Sequence, residues 1–514
     1  MPRLALSTVV SLLAAGLLAG CGSGTEQPAA LAPAQALFYG EVNLTAPGGQ
    51  KAAVDALARK FPGSGSAGQR LGALIDDGLR DGDAKVSFER DVKPWLGDKA
   101  AFFASRPPGG GSGDTPVAAL VAAKDEEKAL ATVQKEEGQG TEAEYEGVKY
   151  RRFGDKDSVA TTLDGYLVLS NELGLKALVN ASKNSDRTLE SSERFKRALE
   201  GRPEDRLGFA YVDAASALDA VPSAQAQLLA PFRRALRDPL VVTATAQSDA
   251  LEITSETPES LLSVLGVAGL GSKGTNLIGK LPGDSLFASG GPELGRQLAA
   301  GIKLGASSFG GPAILEQALR QRTGLDLQRD VLAWMGDYGI FVRGQDRGSL
   351  GGALVVESKD PAATRRAIAG LRRILRGQGR SGARIGRLGI RGADAGFTVT
   401  VDDLPAPFNV FLKSDRFVVA YGNAAASRAI NPRGTLEDDS TFSQATGSLG
   451  GGYVVNTYAS VPAALRLAKG LGATRGSGYQ QAMPYLTVLG ALVGAAKPGG
   501  DGKLESKFRL TVPG

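Results

Sequence analysis

The chain of 514 residues has no histidine, a single cysteine, three methionines and two tryptophans. Without histidine there is no Ser-His-Asp or Cys-His relay. There is also no histidine-ligated zinc or iron, and no side chain that titrates near neutrality unperturbed. Ser-x-x-Lys, the histidine-free arrangement for acyl transfer, occurs at none of the serines. Aromatics supply only 6% of residues, and no nucleic-acid motif accompanies the pI near 9.1, so nucleic acid is not an expected partner. Glu437-Asp438-Asp439 and Asp402-Asp403 lack the ligand spacing of a calcium loop. They read as caps and turns, and no metal or other cofactor is expected. Past the N-terminus no apolar run reaches the ~20 residues of a spanning helix. The best candidate, Leu486 to Ala496, reads as a buried helix. What the chain does have is glycine, 70 residues of it, with 25 prolines and 42% hydrophobic residues. That describes a loop-rich globular protein, long enough for two domains.

The N-terminus carries an address. Arg3 precedes an uncharged apolar run from Leu4 to Leu18, closed by Leu18-Ala19-Gly20-Cys21. A short apolar core behind a basic residue is a secretory signal, too short to span a membrane. The phrase L-A-G-C resembles the bacterial lipobox, and Cys21 is the only cysteine. The resemblance implies a signal peptide over residues 1–20 and lipidation of Cys21, with the protein held outside the cytoplasm on a membrane. Two acyl chains anchor stably where one binds marginally. Residues 21–34, small, polar and proline-containing, read as the lipidated cysteine and a flexible tether.

Both tryptophans sit in one phrase, R-D-V-x-x-W-x-G-D, once as Arg90 to Asp98 and once as Arg329 to Asp337. Other landmarks recur in the same order. Leu37-Phe38 matches Leu286-Phe287, Ala119-Leu120-Val121 matches Ala353-Leu354-Val355, and Thr188-Leu189-Glu190 matches Thr435-Leu436-Glu437. A tandem duplication is the reading, with repeat 1 over residues 35–268, a Gly/Lys/Pro-rich linker over 269–284 and repeat 2 over 285–514. Asp164-Gly165 marks a hairpin, Ser248-Asp249 another, and Phe397 to Val401 alternates as a half-buried strand. Helical stretches include Lys51 to Lys60, Leu71 to Leu79 and Ala313 to Arg320. The fold class expected is therefore α+β: two similar repeats, each a largely antiparallel sheet covered by helices on one side.

Three features are candidates for chemistry. Trp95, Gly97 and Asp98, with Trp334, Gly336 and Asp337, read as corners: tryptophan as anchor, glycine permitting the turn, aspartate bonding nearby backbone. The alternative reading makes the tryptophans ligand platforms and the aspartates acids. Gly274-x-x-x-x-Gly279-Lys280 resembles a phosphate loop, but Leu281 stands where Ser or Thr must ligate magnesium, so it reads as linker. The third feature is a difference between the halves. The helix after Asp125 is acidic, with Glu126, Glu127, Glu136 and Glu137. Its counterpart after Asp360 is basic, with Arg365, Arg366, Arg372, Arg373 and Arg376. The basic face is a solvated surface, a site for anionic lipid headgroups or envelope polyanions, which suit the arginine fork, or a dock for an acidic helix.

The lipobox, the duplicated body and the phrase Pro94-Trp95-Leu96-Gly97-Asp98 together resemble a bacterial family known only as domain of unknown function 3352. The family implies an extracytoplasmic location and no established activity. Three function readings follow. The first is a membrane-anchored, non-enzymatic binding or scaffold module of the cell envelope. The second is a lipid or glycolipid carrier with an apolar cavity. The third, a carboxylate-based hydrolase, needs two acids ~5–9.5 Å apart in a cleft.

Overall fold

The computed structural model describes residues 27–62, 72, 76, 84–105, 115–154, 158–219, 223–265, 277–306, 312–377 and 382–513. The signal peptide, Cys21 and the helix expected over Leu71 to Leu79 lie outside these, apart from residues 72 and 76. The chain divides into two compact units, Met1–Ser255 and Glu256–Gly514.

The first unit is built on strands β1 (Ala36–Asn43), β2 (Leu96–Ser105), β3 (Val117–Ala123), β4 (Thr141–Tyr145), β5 (Val148–Phe153), β6 (Ser158–Leu163), β7 (Tyr166–Asn171), β8 (Gly208–Val212), β9 (Leu240–Gln247) and β10 (Ala250–Pro258). All neighbours are antiparallel, in the order 4-5-6-7-3-2-1-8-9-10. Its helices include α1 (Gly48–Lys60), α2 (Glu126–Glu137), α3 (Glu172–Ser182) and α4 (Glu193–Leu199). The β6–β7 hairpin turns at Asp164 and Gly165, both at positive φ. This is what a two-residue type I′ turn requires. Asp125 caps α2, accepting the Lys128 N–H at 3.0 Å.

The second unit uses β11 (Ser285–Gly291), β12 (Met335–Arg343), β13 (Gly351–Ser358), β14 (Ala383–Gly386), β15 (Ala395–Val401), β16 (Phe408–Lys413), β17 (Arg416–Tyr421), β18 (Val454–Ser460), β19 (Ala491–Pro498) and β20 (Lys503–Thr511). Again every pairing is antiparallel, in the order 14-15-16-17-13-12-11-18-19-20. Its helices include α5 (Leu294–Ala306), α6 (Pro312–Thr323), α7 (Pro361–Gly377), α8 (Asn423–Ile430), α9 (Ser440–Gly447) and α10 (Val461–Gly470). The protein is thus α+β, with antiparallel sheets.

Four expectations are corrected. The sheets are covered on both faces, not one. In β3, Ala118, Leu120 and Ala122 enter one core with α3 and α4, while Val121 and Ala123 enter a second with Trp95 and α2. A strand buried on both sides has no polar face to alternate with, hence the unbroken apolar sequence Val117–Ala123. The run Leu486 to Ala496 is not a buried helix. Its second half is β19, paired on both edges, with Ala491, Val493 and Ala495 in the core. Extended backbone suits Gly494 better than a helix interior would. The tether is shorter than residues 21–34. From Pro28 the chain is packed, with Ala29, Leu31 and Ala32 buried and Pro33 bridged to Thr188. Likewise the segment read as linker ends packed: Ile278 and Leu281 join the second core, and Pro282 bridges to Thr435. The Gly279 carbonyl of the phosphate-loop lookalike accepts the Glu437 N–H.

Candidate functional site: tryptophan corners and a cationic helix face

Trp95 and Trp334 are 4% and 2% exposed, which removes them as ligand platforms. Each follows a single π-helical turn, Phe88–Val92 or Leu327–Leu332. The Asp91 carboxylate accepts the Ser87 N–H at 2.8 Å, and that of Asp330 accepts the Asp326 N–H at 2.9 Å. Arg90 and Arg329 pair with these carboxylates in turn. Trp334 Nε1 donates to the Asp330 carbonyl at 3.2 Å. Trp95 Nε1 instead donates to Thr132 Oγ1 at 3.0 Å, and Thr132 passes the contact to the Asp91 carbonyl at 2.8 Å. Ala367, at the matching place on α7, has no hydroxyl, so Trp334 reaches the carbonyl directly.

The phrase therefore contains an acid that sequence reasoning passed over, the aspartate after the arginine. The Asp337 carboxylate does accept a backbone N–H, from Glu293 at 3.1 Å. At the other corner it is the Asp98 carbonyl that accepts, from Leu44 at 2.7 Å. The glycines are not there for a turn, since neither has positive φ. They admit the neighbouring strand: a Cβ on Gly97 would lie 2.5 Å from the Ala122 Cβ, and one on Gly336 2.8 Å from the Glu357 carbonyl.

These carboxylates are held ionised. Arg329, then the Asp326 N–H, lower Asp330 to about 2. Burial opposes ionisation of Asp91, but Lys135, the Ser87 N–H and Arg90 together outweigh it and hold the carboxyl well below its usual range. Lys176 and Arg152 bring Glu172 to about 2. Such groups stabilise the fold fully above pH ~4, where the unfolded carboxyls are also ionised. That contribution is lost as pH falls from about 4 towards 2. Urea midpoints measured across this window are expected to drop steeply, and Asp330→Asn is expected to flatten the profile. A profile unchanged in the variant would count against the corner ion pair. Among the described residues Glu357 is the carboxyl that is raised, by burial and then by Asp337.

The acidic helix spends its charges on structure. Glu126 accepts the Gly165 N–H at 2.8 Å, Glu136 accepts the Lys85 N–H at 2.7 Å, and Lys135 pairs with Asp91 at 2.5 Å. The acidic clusters are also caps: Asp438 completes a capping box with Thr435, and Asp439 caps α9. No group of acids arranged to hold a metal is present among the described residues.

α7 differs. Its apolar side, Ala363, Ile368, Leu371 and Leu375, packs into the core with Trp334, Phe397 and Phe417. Arg365, Arg366, Arg373 and Arg376 are exposed, and Arg372 is half-buried. At 1.5 Å rise per residue these guanidiniums line a strip about 16 Å long. Arg373 Nη1 donates to the Thr323 carbonyl at 2.8 Å, and Arg372 Nε is buried without a hydrogen-bond partner. Among the described residues none of the five makes an ion pair like Arg320–Asp326 or Arg384–Asp402 nearby. The structure thus brings the five arginines onto one surface, where Arg366 is near enough to Asp330 to help lower its carboxyl and none of the five makes an ion pair among the described residues.

A family model described as a protein of unknown function (DUF3352) matches residues 4–461. No curated protein matches the chain. Among solved structures, crystal form I of TP0453 is similar at 9% identity over 46% of this chain and 80% of that one, with a TM-score of 0.23. So low a score carries no argument.

Proposed function

We propose, for a chain that belongs to the DUF3352 family of proteins of unknown function, a non-enzymatic role outside the cytoplasm. Anchored to the membrane by acyl groups on Cys21, it engages anionic headgroups or envelope polymers through α7. The observation that carries the reading is the strip of five arginines that make no ion pair among the described residues, on a helix whose counterpart α2 commits Glu126 and Glu136 to the Gly165 and Lys85 backbone N–H groups. Close to an anionic surface each basic residue contributes ~1 kcal/mol, and the Cys21 anchor would hold the strip near such a surface. We infer too that the two units arose by tandem duplication. Supporting this are the shared strand order, the bulge near the start of both β1 and β11, and the bridges Pro33–Thr188 and Pro282–Thr435.

The test is vesicle sedimentation with an unacylated mature chain at low salt. On vesicles containing phosphatidylglycerol, Arg365→Gln, Arg366→Gln, Arg372→Gln and Arg373→Gln together are expected to weaken binding roughly a hundredfold or more. The wild-type interaction should fade as salt rises. Binding that is unchanged in the fourfold variant would overturn the reading.

A further inference from the structure

The arginines of α7 are arranged around one small residue. Ala369 is exposed near the middle of the helix. Its neighbours on the helix surface are the residues three and four positions away, with Cβ atoms roughly 5–6 Å apart. All four are arginines: Arg365, Arg366, Arg372 and Arg373. A single methyl group is therefore the floor of a notch walled by four guanidinium-bearing side chains.

Two of the walls are held in place. Arg373 Nη1 donates to the Thr323 carbonyl at 2.8 Å, which engages one of its several N–H donors. Arg372 is half-buried, with Nε shielded from water and without a hydrogen-bond partner. Long side chains on a helix lean towards its N-terminus. Arg372 and Arg373 therefore stand over Ala369, and Arg365 and Arg366 bound the notch from the preceding turn. Acid is scarce around it. None occurs in the sequence from residue 361 to residue 393. Asp330, which Arg366 helps to keep ionised, is already paired with Arg329 at 2.9 Å. Beside the arginines, the exposed residues from 361 to 376 are Ala362 and Ala369. Neither is large enough to insert among acyl chains, so what this face offers a ligand is charge and N–H donors.

We propose that the notch binds a phosphate monoester, a terminal phosphate in preference to a bridging diester. The inference rests on the reading of α7 as the anion-binding face and names the group that face selects. A terminal phosphate carries about −1.5 to −2 charge near neutral pH and three acceptor oxygens. A diester carries a single charge and two free oxygens. Guanidinium forks bond phosphate oxygens in pairs, so several forks around one point favour the group with more oxygens and more charge. Two sources supply this chemistry, a lipid headgroup and a soluble phosphate ester.

The unacylated mature chain is sedimented at low salt with phosphatidylcholine vesicles of two kinds. One contains phosphatidic acid, a monoester. The other contains enough phosphatidylglycerol, a diester, to match its surface charge. Phosphatidic acid is expected to bind roughly tenfold tighter, the worth of one further charge-assisted hydrogen bond. Ala369→Leu fills the notch while keeping the charge and a strong helix former. The preference should vanish in this variant while phosphatidylglycerol binding persists. Arg365→Lys with Arg366→Lys keeps the charge but removes two forks, and should act the same way. All three positions are exposed, and an unchanged melting temperature verifies the fold. Glycerol 3-phosphate that displaces the protein from phosphatidic acid assigns the notch to phosphate monoesters in general, and failure to displace assigns it to the lipid headgroup. Equal binding to the two vesicles, or a preference that survives Ala369→Leu, would overturn the notch and leave the strip as a general anionic contact. Binding to neither vesicle would overturn both.

Discussion

Replacing Trp95 by alanine is expected to cost about 3–5 kcal/mol, and Trp334→Ala a similar amount in the second unit. Both rings are almost wholly buried. Trp334 stacks edge-on against Phe417 at 5.1 Å, and Trp95 lies among Phe88, Val92, Val121 and Ala129. Truncation leaves a cavity whose walls are a π-helical turn and a strand, neither free to collapse inward. It also removes an indole donor, exposing the Asp330 carbonyl in one unit and Thr132 Oγ1 in the other to an empty space. For a unit of this size the loss lowers the melting temperature by roughly 10 °C. The chain has only two tryptophans, one in each unit. In Trp95→Ala the remaining fluorescence therefore follows the second unit alone, and circular dichroism follows both. The expected result is an early transition in the dichroism that the fluorescence does not share. Below that transition, vesicle binding should be normal. A variant with wild-type melting that has lost binding would restore the ligand-platform reading of the corner.

Much of this frame was legible in the sequence. The hairpin at Asp164-Gly165, the strand of Phe397 and Val399, the caps within Glu437-Asp438-Asp439, and the buried tryptophans all follow from local rules: turn φ, period-two alternation, side-chain acceptors at helix starts. What escaped was set by tertiary context. Periodicity cannot separate a strand buried on both faces from a piece of buried helix, which is why Leu486 to Ala496 read as helix and the second layer of helices went unseen. Counting charges likewise overstated α2, because Glu126 and Glu136 are consumed by the Gly165 and Lys85 backbone N–H groups. On α7 Arg373 is engaged in the same way by the Thr323 carbonyl.

The glycines of the two corners make a sharper demand than the tryptophans suggest, and they differ from each other. At Gly97 an added methyl would meet the Ala122 Cβ at 2.5 Å, its carbonyl oxygen at 2.7 Å and its carbonyl carbon at 2.8 Å. Ala122 is fully buried on the central strand β3, paired on both edges, so it cannot retreat. Gly97→Ala is therefore expected to destabilise the first unit by about 3 kcal/mol, the upper end for overpacking. At Gly336 the rigid contact is the Glu357 carbonyl at 2.8 Å, and the other neighbours are carbons of the flexible Lys359 side chain. Gly336→Ala should cost about 1 kcal/mol. Urea denaturation of each variant measures both. Adding Ala122→Gly to Gly97→Ala removes the 2.5 Å clash but leaves the carbonyl contacts, so part of the loss should return and part should not. Full recovery would show that the methyl–methyl clash alone sets the requirement. No recovery would show that the strand backbones are in contact there, with glycine serving to let β2 bulge against β3. Equal losses at Gly97 and Gly336 would contradict the asymmetry, and with it the assignment of these glycines to strand approach.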